Sequence, residues 1–198
     1  MVKWIALGIA LGLVVLVPSC AIMTGVGVYK SLVSKQEIAK MQWANVETQY
    51  KRRADLIPNL VEVVKGYATH ERTTLTAVIE ARAKATQTSV NINDVSSMAK
   101  FQQSQGELSS ALARLMVVVE KYPQLLAIEE FKKLHDDLAG TENRIAYEIQ
   151  KYNANATDYN IATRQPMALV LRLVILGFEP MSLFQTDAKT KEAPVVKF

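Results

Sequence analysis

The chain has 198 residues, 49% of them hydrophobic, and 23 Lys and Arg against 19 Asp and Glu give a formal net charge of +4. So small and dispersed an excess excludes the concentrated cationic face with stacking aromatics that nucleic-acid binding needs, and no nucleic-acid partner is expected; it suits a domain beside anionic lipid headgroups. The single cysteine, Cys20, excludes paired-cysteine chemistry.

The first element is an uncharged run over residues 4–29, between Lys3 and Lys30. A bilayer needs about 20 apolar residues of helix, so this run can cross one, and residues 1–29 form the expected membrane anchor. The same residues admit a second reading. Met1-Val2-Lys3, an apolar stretch to Val17 and then Pro18-Ser19-Cys20 imitate an export signal that ends at a lipid-modified cysteine. Pro18 is awkward at such a site, and Ala21-Ile22-Met23 stay apolar where a mature lipoprotein turns polar. An uncleaved single-pass helix is therefore the first expectation, and lipidation of Cys20 the alternative. Lys30, Lys35 and Lys40 outnumber Lys3, which favours a cytoplasmic domain, but folded domains are exported against so small a bias. The sidedness stays open.

Residues 30–184 carry helical periodicity almost throughout. Trp43, Val46, Tyr50, Ala54, Ile57, Val61, Val64 and Ala68 recur at steps of three and four, and the stripe continues through Glu71, Leu75, Val78 and Arg82. Pro58 interrupts it, since proline removes a helical hydrogen bond and collides with the preceding turn. Either one kinked helix or two helices with a tight turn is expected there. A heptad seam follows at Phe101, Gln105, Leu108, Leu112, Leu115, Val119 and Tyr122, with Asn93 or Asp94 as its N-cap and Pro123 closing it. A third run places Phe131, Leu138, Glu142, Ile145, Ile149, Tyr152, Ala156 and Tyr159 on one face. The expected fold is all-α: a long antiparallel up-and-down bundle of four helices, three of them long, after the transmembrane helix.

Residues 167–178 are almost wholly apolar and too short to span a bilayer. A last core helix capped by Gly177 is expected, with a helix lying on lipid or on a partner as the alternative. Residues 185–198 read as a flexible tail. Its end carries Val195, Val196 and Phe198, which suit strand addition to the open sheet edge of a partner.

Few residues invite chemistry. His70, His135, Asp136 and Asp158 imitate the ligand order of HD-type metal-dependent phosphohydrolases, but their positions share no helix face, and solvated surfaces are expected instead. Neither metal, cofactor nor catalytic residue is assigned. Gln105 and Glu142 fall on seam positions, where a polar group is costly unless paired. Glu142 is expected to meet an arginine such as Arg82 or Arg114.

Tyr50-Lys51-Arg52-Arg53-Ala54-Asp55-Leu56-Ile57-Pro58-Asn59-Leu60-Val61, then Val64-Lys65-Gly66-Tyr67-Ala68 and Glu80-Ala81-Arg82-Ala83, resemble the LemA family. So do Tyr122-Pro123-Gln124-Leu125, Thr141-Glu142-Asn143-Arg144-Ile145-Ala146, Tyr152-Asn153, and Leu176-Gly177-Phe178-Glu179-Pro180 with Phe184. The resemblance implies a membrane-anchored four-helix bundle without established catalysis, in a family whose genes neighbour those of membrane metalloproteases and TPM-domain proteins. Within its signature Pro58 is expected to set a bend, Asp55 to cap a helix, and Glu142, Asn143 and Arg144 to form a structural polar tie. Arg52 and Arg53 are expected to pair with acids on the neighbouring helix or, together with Asn59, to make a partner-docking corner. The functional expectation is a non-catalytic membrane scaffold or adaptor with self-association through its helices. A lipid-binding or membrane-remodelling protein is the alternative, and a metal-dependent hydrolase a distant third.

Overall fold

The computed structural model describes residues 2–175 and 177–185, with side chains described over 23–172 and 177–185. The first helix, α1 (Val2–Tyr67), is 66 residues long, about 99 Å at 1.5 Å per residue. It is followed by α2 (Arg72–Gln87), α3 (Val95–Val119), the short α4 (Pro123–Ala127), α5 (Glu129–Thr163) and α6 (Pro166–Ile175). No strand occurs among the described residues. The antiparallel bundle has four main helices, three of them long (α1, α3, α5) with α2 shorter at 16 residues, plus two short ones. Among the described residues no helix is long and apolar enough to cross a membrane. The expected anchor over residues 1–29, Cys20 included, rests mostly on side chains that lie outside them.

Pro58 neither ends α1 nor separates two helices. Asp55, accordingly, caps nothing; it pairs with Lys51 at 3.7 Å on the exposed surface. Proline has no N–H to offer the carbonyl four residues back, here that of Ala54. The Arg82 guanidinium supplies the donor from α2, with Nε 2.6 Å from the Ala54 oxygen. Two separated signature segments thus meet at one hydrogen bond, and Arg82 is engaged there instead of with Glu142. Replacing Arg82 by alanine is expected to cost about 1.5 kcal/mol, as hydrogen bonds to charged groups do. In a Pro58→Ala background the new N–H serves the carbonyl, so roughly half of that cost should vanish. A denaturant double-mutant cycle that finds the two changes additive would remove Arg82 from this role.

The chain reverses at residues 68–71 and not at Pro58, which cuts the long stripe into α1 and α2. Buried Ala68 closes the turn through its N–H to the Val64 oxygen at 2.8 Å. Asp94 caps α3 as expected, accepting from the Ser96 N–H at 2.8 Å. The Ser96 hydroxyl, donating to the same carboxylate at 3.0 Å, and the Ser96 N–H together hold the Asp94 carboxyl below its usual range. Pro123 opens α4, where its missing N–H has no partner to lose.

Lys84 meets Glu107 at 2.6 Å between α2 and α3, while Arg53 meets Glu142 at 2.7 Å between α1 and α5. These pairings run antiparallel, giving an up-down-up-down order. Two cores fill the bundle. The proximal one gathers Leu32, Trp43, Val46, Tyr50, Phe101, Tyr152 and Tyr159. The distal one gathers Ile57, Leu60, Val64, Val78, Leu108, Leu115 and Phe131. All eight residues of the first apolar stripe up to Ala68 are buried, which is the amphipathic pattern realised as packing.

Candidate functional site

Arg53 lies between the two cores and is 2% exposed. Its Nη1 donates to Glu142 Oε1 at 2.7 Å and to Ser109 Oγ at 3.2 Å, and its Nη2 donates to Gln105 Oε1. The guanidinium also sits 5.1 Å from the centre of the Tyr50 ring. A buried guanidinium needs acceptors on several sides, and two helices, α3 and α5, contribute three. The polar tie is thus Arg53, Gln105, Ser109 and Glu142. Arg114, Asn143 and Arg144 are exposed and take no part in it. A second buried amide, Gln42, donates to Glu148 across the same pair of helices.

Arg53 is consequently no docking residue, because its charge is consumed inside the bundle. Arg52 and Asn59 are both exposed on α1. Val195, Val196 and Phe198 lie outside the described residues.

Burial raises the Tyr50 phenol far above its ordinary 10.0, with Arg53 lowering and Glu142 raising it by smaller amounts. Burial alone raises Tyr152 likewise. A phenol whose folded pKa is raised gives stability that is full below pH 10 and lost as pH climbs above it, since the unfolded chain ionises first. The denaturant midpoint is therefore expected to fall above about pH 10, and less steeply in Tyr152→Phe. An identical alkaline decline in that variant would exclude Tyr152 as a source.

The polar layer floors a trough whose walls are α3 and α5. Beside Gly106, Ser109 and Glu142 it opens into a cavity of about 400 Å³. It continues past Leu112, Ala113 and Leu138 through about 160 Å³. It ends in another 400 Å³ or so lined by Met116, Val119, Leu126 and Phe131. A Cβ built on Gly106 would meet nothing within 4 Å, so the trough is open there.

Residues 177–185 fill the other half of this trough as an extended strap, a feature not expected from the sequence. α6 ends at Ile175, so Phe178 belongs to the strap and not to the helix. Two asparagines of α5 hold the strap as a neighbouring β-strand would. Asn160 donates to the Met181 oxygen and accepts from the Met181 N–H, both at 2.8 Å. Asn153 does the same to Phe184, both at 2.9 Å. Tyr152 donates to the Ser182 oxygen at 2.7 Å, and in the turn before α3 the Ile92 oxygen accepts from the Ser182 N–H at 2.7 Å. The available signal was the seven-residue spacing of Asn153 and Asn160, which puts both amides on one helix face.

The imitation metal set is not assembled. His70 is exposed in the turn before α2, and His135, Asp136 and Asp158 are exposed on α5. Asp136 and Asp158 are 22 positions apart on that helix, about 33 Å. Among the described residues no cluster of His, Cys, Asp or Glu is fit to hold a metal ion. His135 packs against the Phe131 ring, with centroids 6.2 Å apart.

The sequence model of the LemA family matches residues 42–198. The chain is 25% identical to the magnetosome proteins MamQ 1 and MamQ 2 of Paramagnetospirillum magneticum. It is 24% identical to the magnetosome protein MamQ of Magnetospirillum gryphiswaldense. Each match covers 85% of this chain and 68% of the relative.

Proposed function

The chain belongs to the LemA family, and on that premise we propose that it is a membrane-anchored, non-catalytic adaptor that works through protein-protein contacts. The observation that carries the reading is the trough between α3 and α5. It is open over its distal half, polar beside Gln105, Ser109 and Glu142 and apolar beyond them at Leu112, Met116 and Leu138, and edged by the half-exposed Glu142 carboxylate. Such a channel suits an extended segment or a helix of another protein. Its proximal half already accommodates an extended chain, the strap.

Membrane attachment draws support from the uncharged run over residues 4–29, which lies within the first part of α1. The likeness to magnetosome proteins is consistent with it. A single-pass helix is the form proposed, with lipidated Cys20 as the other. Arg52 and Asn59 at the α1 surface, and Val195, Val196 and Phe198 in the segment after the strap, are proposed as further docking points. Membrane metalloproteases and TPM-domain proteins are the partner classes to look for, and self-association is the competing outcome.

A photo-crosslinker at Ala113, on the trough wall, is expected to join the protein to a discrete second polypeptide in intact membranes. One at Thr73, exposed on α2, should not. Products containing only this chain or lipid at both positions would overturn the adaptor reading.

A further inference from the structure

We propose that α6 is a lipid-interface helix: its outer face lies in the headgroup layer beside α1, so the bundle rests on the bilayer as well as being tethered to it. The inference deepens the anchored reading above and rests on it. The depth of the bilayer surface along α1 follows from the sequence. The uncharged run has Trp4 at one end and Tyr29 at the other, about 38 Å apart on a helix. That matches a hydrocarbon core of about 30 Å with an interfacial layer on each side. Trp and Tyr favour those two layers, so Tyr29 marks the surface and Lys30 begins the aqueous side.

The fold fixes α6 at that depth. Ala168 is 1% exposed and packs in the same core cluster as Leu32, within one turn of Tyr29. Just after α6, the Phe178 ring meets Tyr29 edge-on with centroids 5.7 Å apart. The face of α6 turned from the bundle carries Leu169, 45% exposed, and Val170, 54% exposed. On α1, Met23 and Val26 are exposed in the same band, at 78% and 48%.

Exposed apolar side chains of α6 and α1 therefore flank the end of the bundle where α1 enters its uncharged run, and hydrocarbon covers them without another protein. Charge agrees with lipid as the occupant. Lys30, Arg164 and Arg172 lie at or beside this level, where long basic side chains reach phosphate while their stems stay apolar. Glu179 is the acid that follows α6, and the Asn93 amide takes its backbone oxygen at 3.3 Å on the α3 side.

The test uses the full chain in vesicles of phosphatidylcholine and phosphatidylglycerol. Cys20→Ala removes the native thiol, and single Leu169→Cys and Val117→Cys variants carry an environment-sensitive fluorophore. Val117 is 61% exposed near the end of α3, at the distal end of the bundle. At residue 169 the emission is expected to shift to the blue, resist aqueous iodide and be quenched by spin-labelled lipid; at residue 117 none of these should occur. Full iodide access at residue 169, in protein that still resists carbonate extraction, overturns the inference and leaves the anchor standing. Shielding from both iodide and lipid overturns it in favour of a protein occupant. Loss of the protein from the vesicles, both in Cys20→Ala and in the chain that keeps Cys20, overturns both readings.

Discussion

Replacing Arg53 by alanine is expected to lower the unfolding free energy by about 3 kcal/mol, the low end of the cost of breaking a buried, hydrogen-bonded charge pair. The partners explain the size. Glu142 is 48% exposed and recovers water when its arginine goes. Gln105, 7% exposed, keeps a side-chain oxygen that loses its guanidinium donor, at about 1–3 kcal/mol for such an orphaned group. Arg53→Lys should recover only part of the loss, because an ammonium cannot fork between Glu142 and Gln105. Glu142→Gln should cost about 1 kcal/mol, since an amide oxygen still accepts from Nη1 and the site is half in water. Chemical denaturation of the detergent-solubilised full chain orders the three variants. Equal losses for Arg53→Ala and Glu142→Gln would mean that the surface ion pair, and not the buried layer, carries the energy.

That layer also bears on register. Sliding α5 along α1 by one turn would keep much of the apolar stripe in contact, because both stripes repeat at the same spacing. It would take Glu142 from Arg53 and put an apolar residue of α5 in its place, and Gln42 would lose Glu148 at the second polar crossing. Two polar crossings at different heights on the same helix pair thus penalise the shifted register. This is the best-attested use of buried polar groups in helical packing.

The helices themselves were legible because their signal is local. The seam from Phe101 to Val119 needed only side-chain polarity at fixed spacing, and Phe101, Gln105, Leu108, Leu115 and Val119 are buried. Pro58 left one helix or two open for the same reason: local chemistry says kink or break, and the donor that serves the freed carbonyl, Arg82, sits 24 residues later on another helix. Glu142 was rightly read as needing an arginine, but periodicity cannot tell which arginine of a neighbouring helix reaches it. Arg53, beside exposed Arg52, admitted either an acid partner on a neighbouring helix or a docking role, and the fold realises the first with Glu142. The strap left almost no trace, since extended backbone held by side-chain amides has neither a polarity period nor a ladder of its own. The signature residues Asn153, Gly177, Phe178 and Phe184 were visible singly, and only the folded chain brings them together.

The strap supplies the second large effect. Asn153→Ala or Asn160→Ala should each remove two hydrogen bonds to strap backbone. The expected weakening is about 2 kcal/mol each, roughly thirtyfold in the local opening equilibrium. The double variant should not simply add to this in global unfolding. Once the strap opens before the bundle does, further weakening of its hold changes only the local equilibrium. Amide exchange at Met181 and Phe184 is therefore expected to accelerate strongly in Asn153→Ala/Asn160→Ala, while amides of Val46 and Leu115 keep most of their protection. Protease cleavage should appear first within residues 177–185. Met181 is 2% exposed and Phe178 4%, so opening also uncovers the aromatic cluster in which Trp43 lies 5.0 Å from Tyr152, centroid to centroid. Trp43 emission should report that step with a red shift. Unchanged exchange at Met181 and Phe184 in the double variant would show that packing of Phe178 and Met181 holds the strap and that the asparagines only follow it. Loss of protection throughout the bundle would make the strap part of the cooperative core. The trough would then be a fixed surface, with no half able to open independently of the fold.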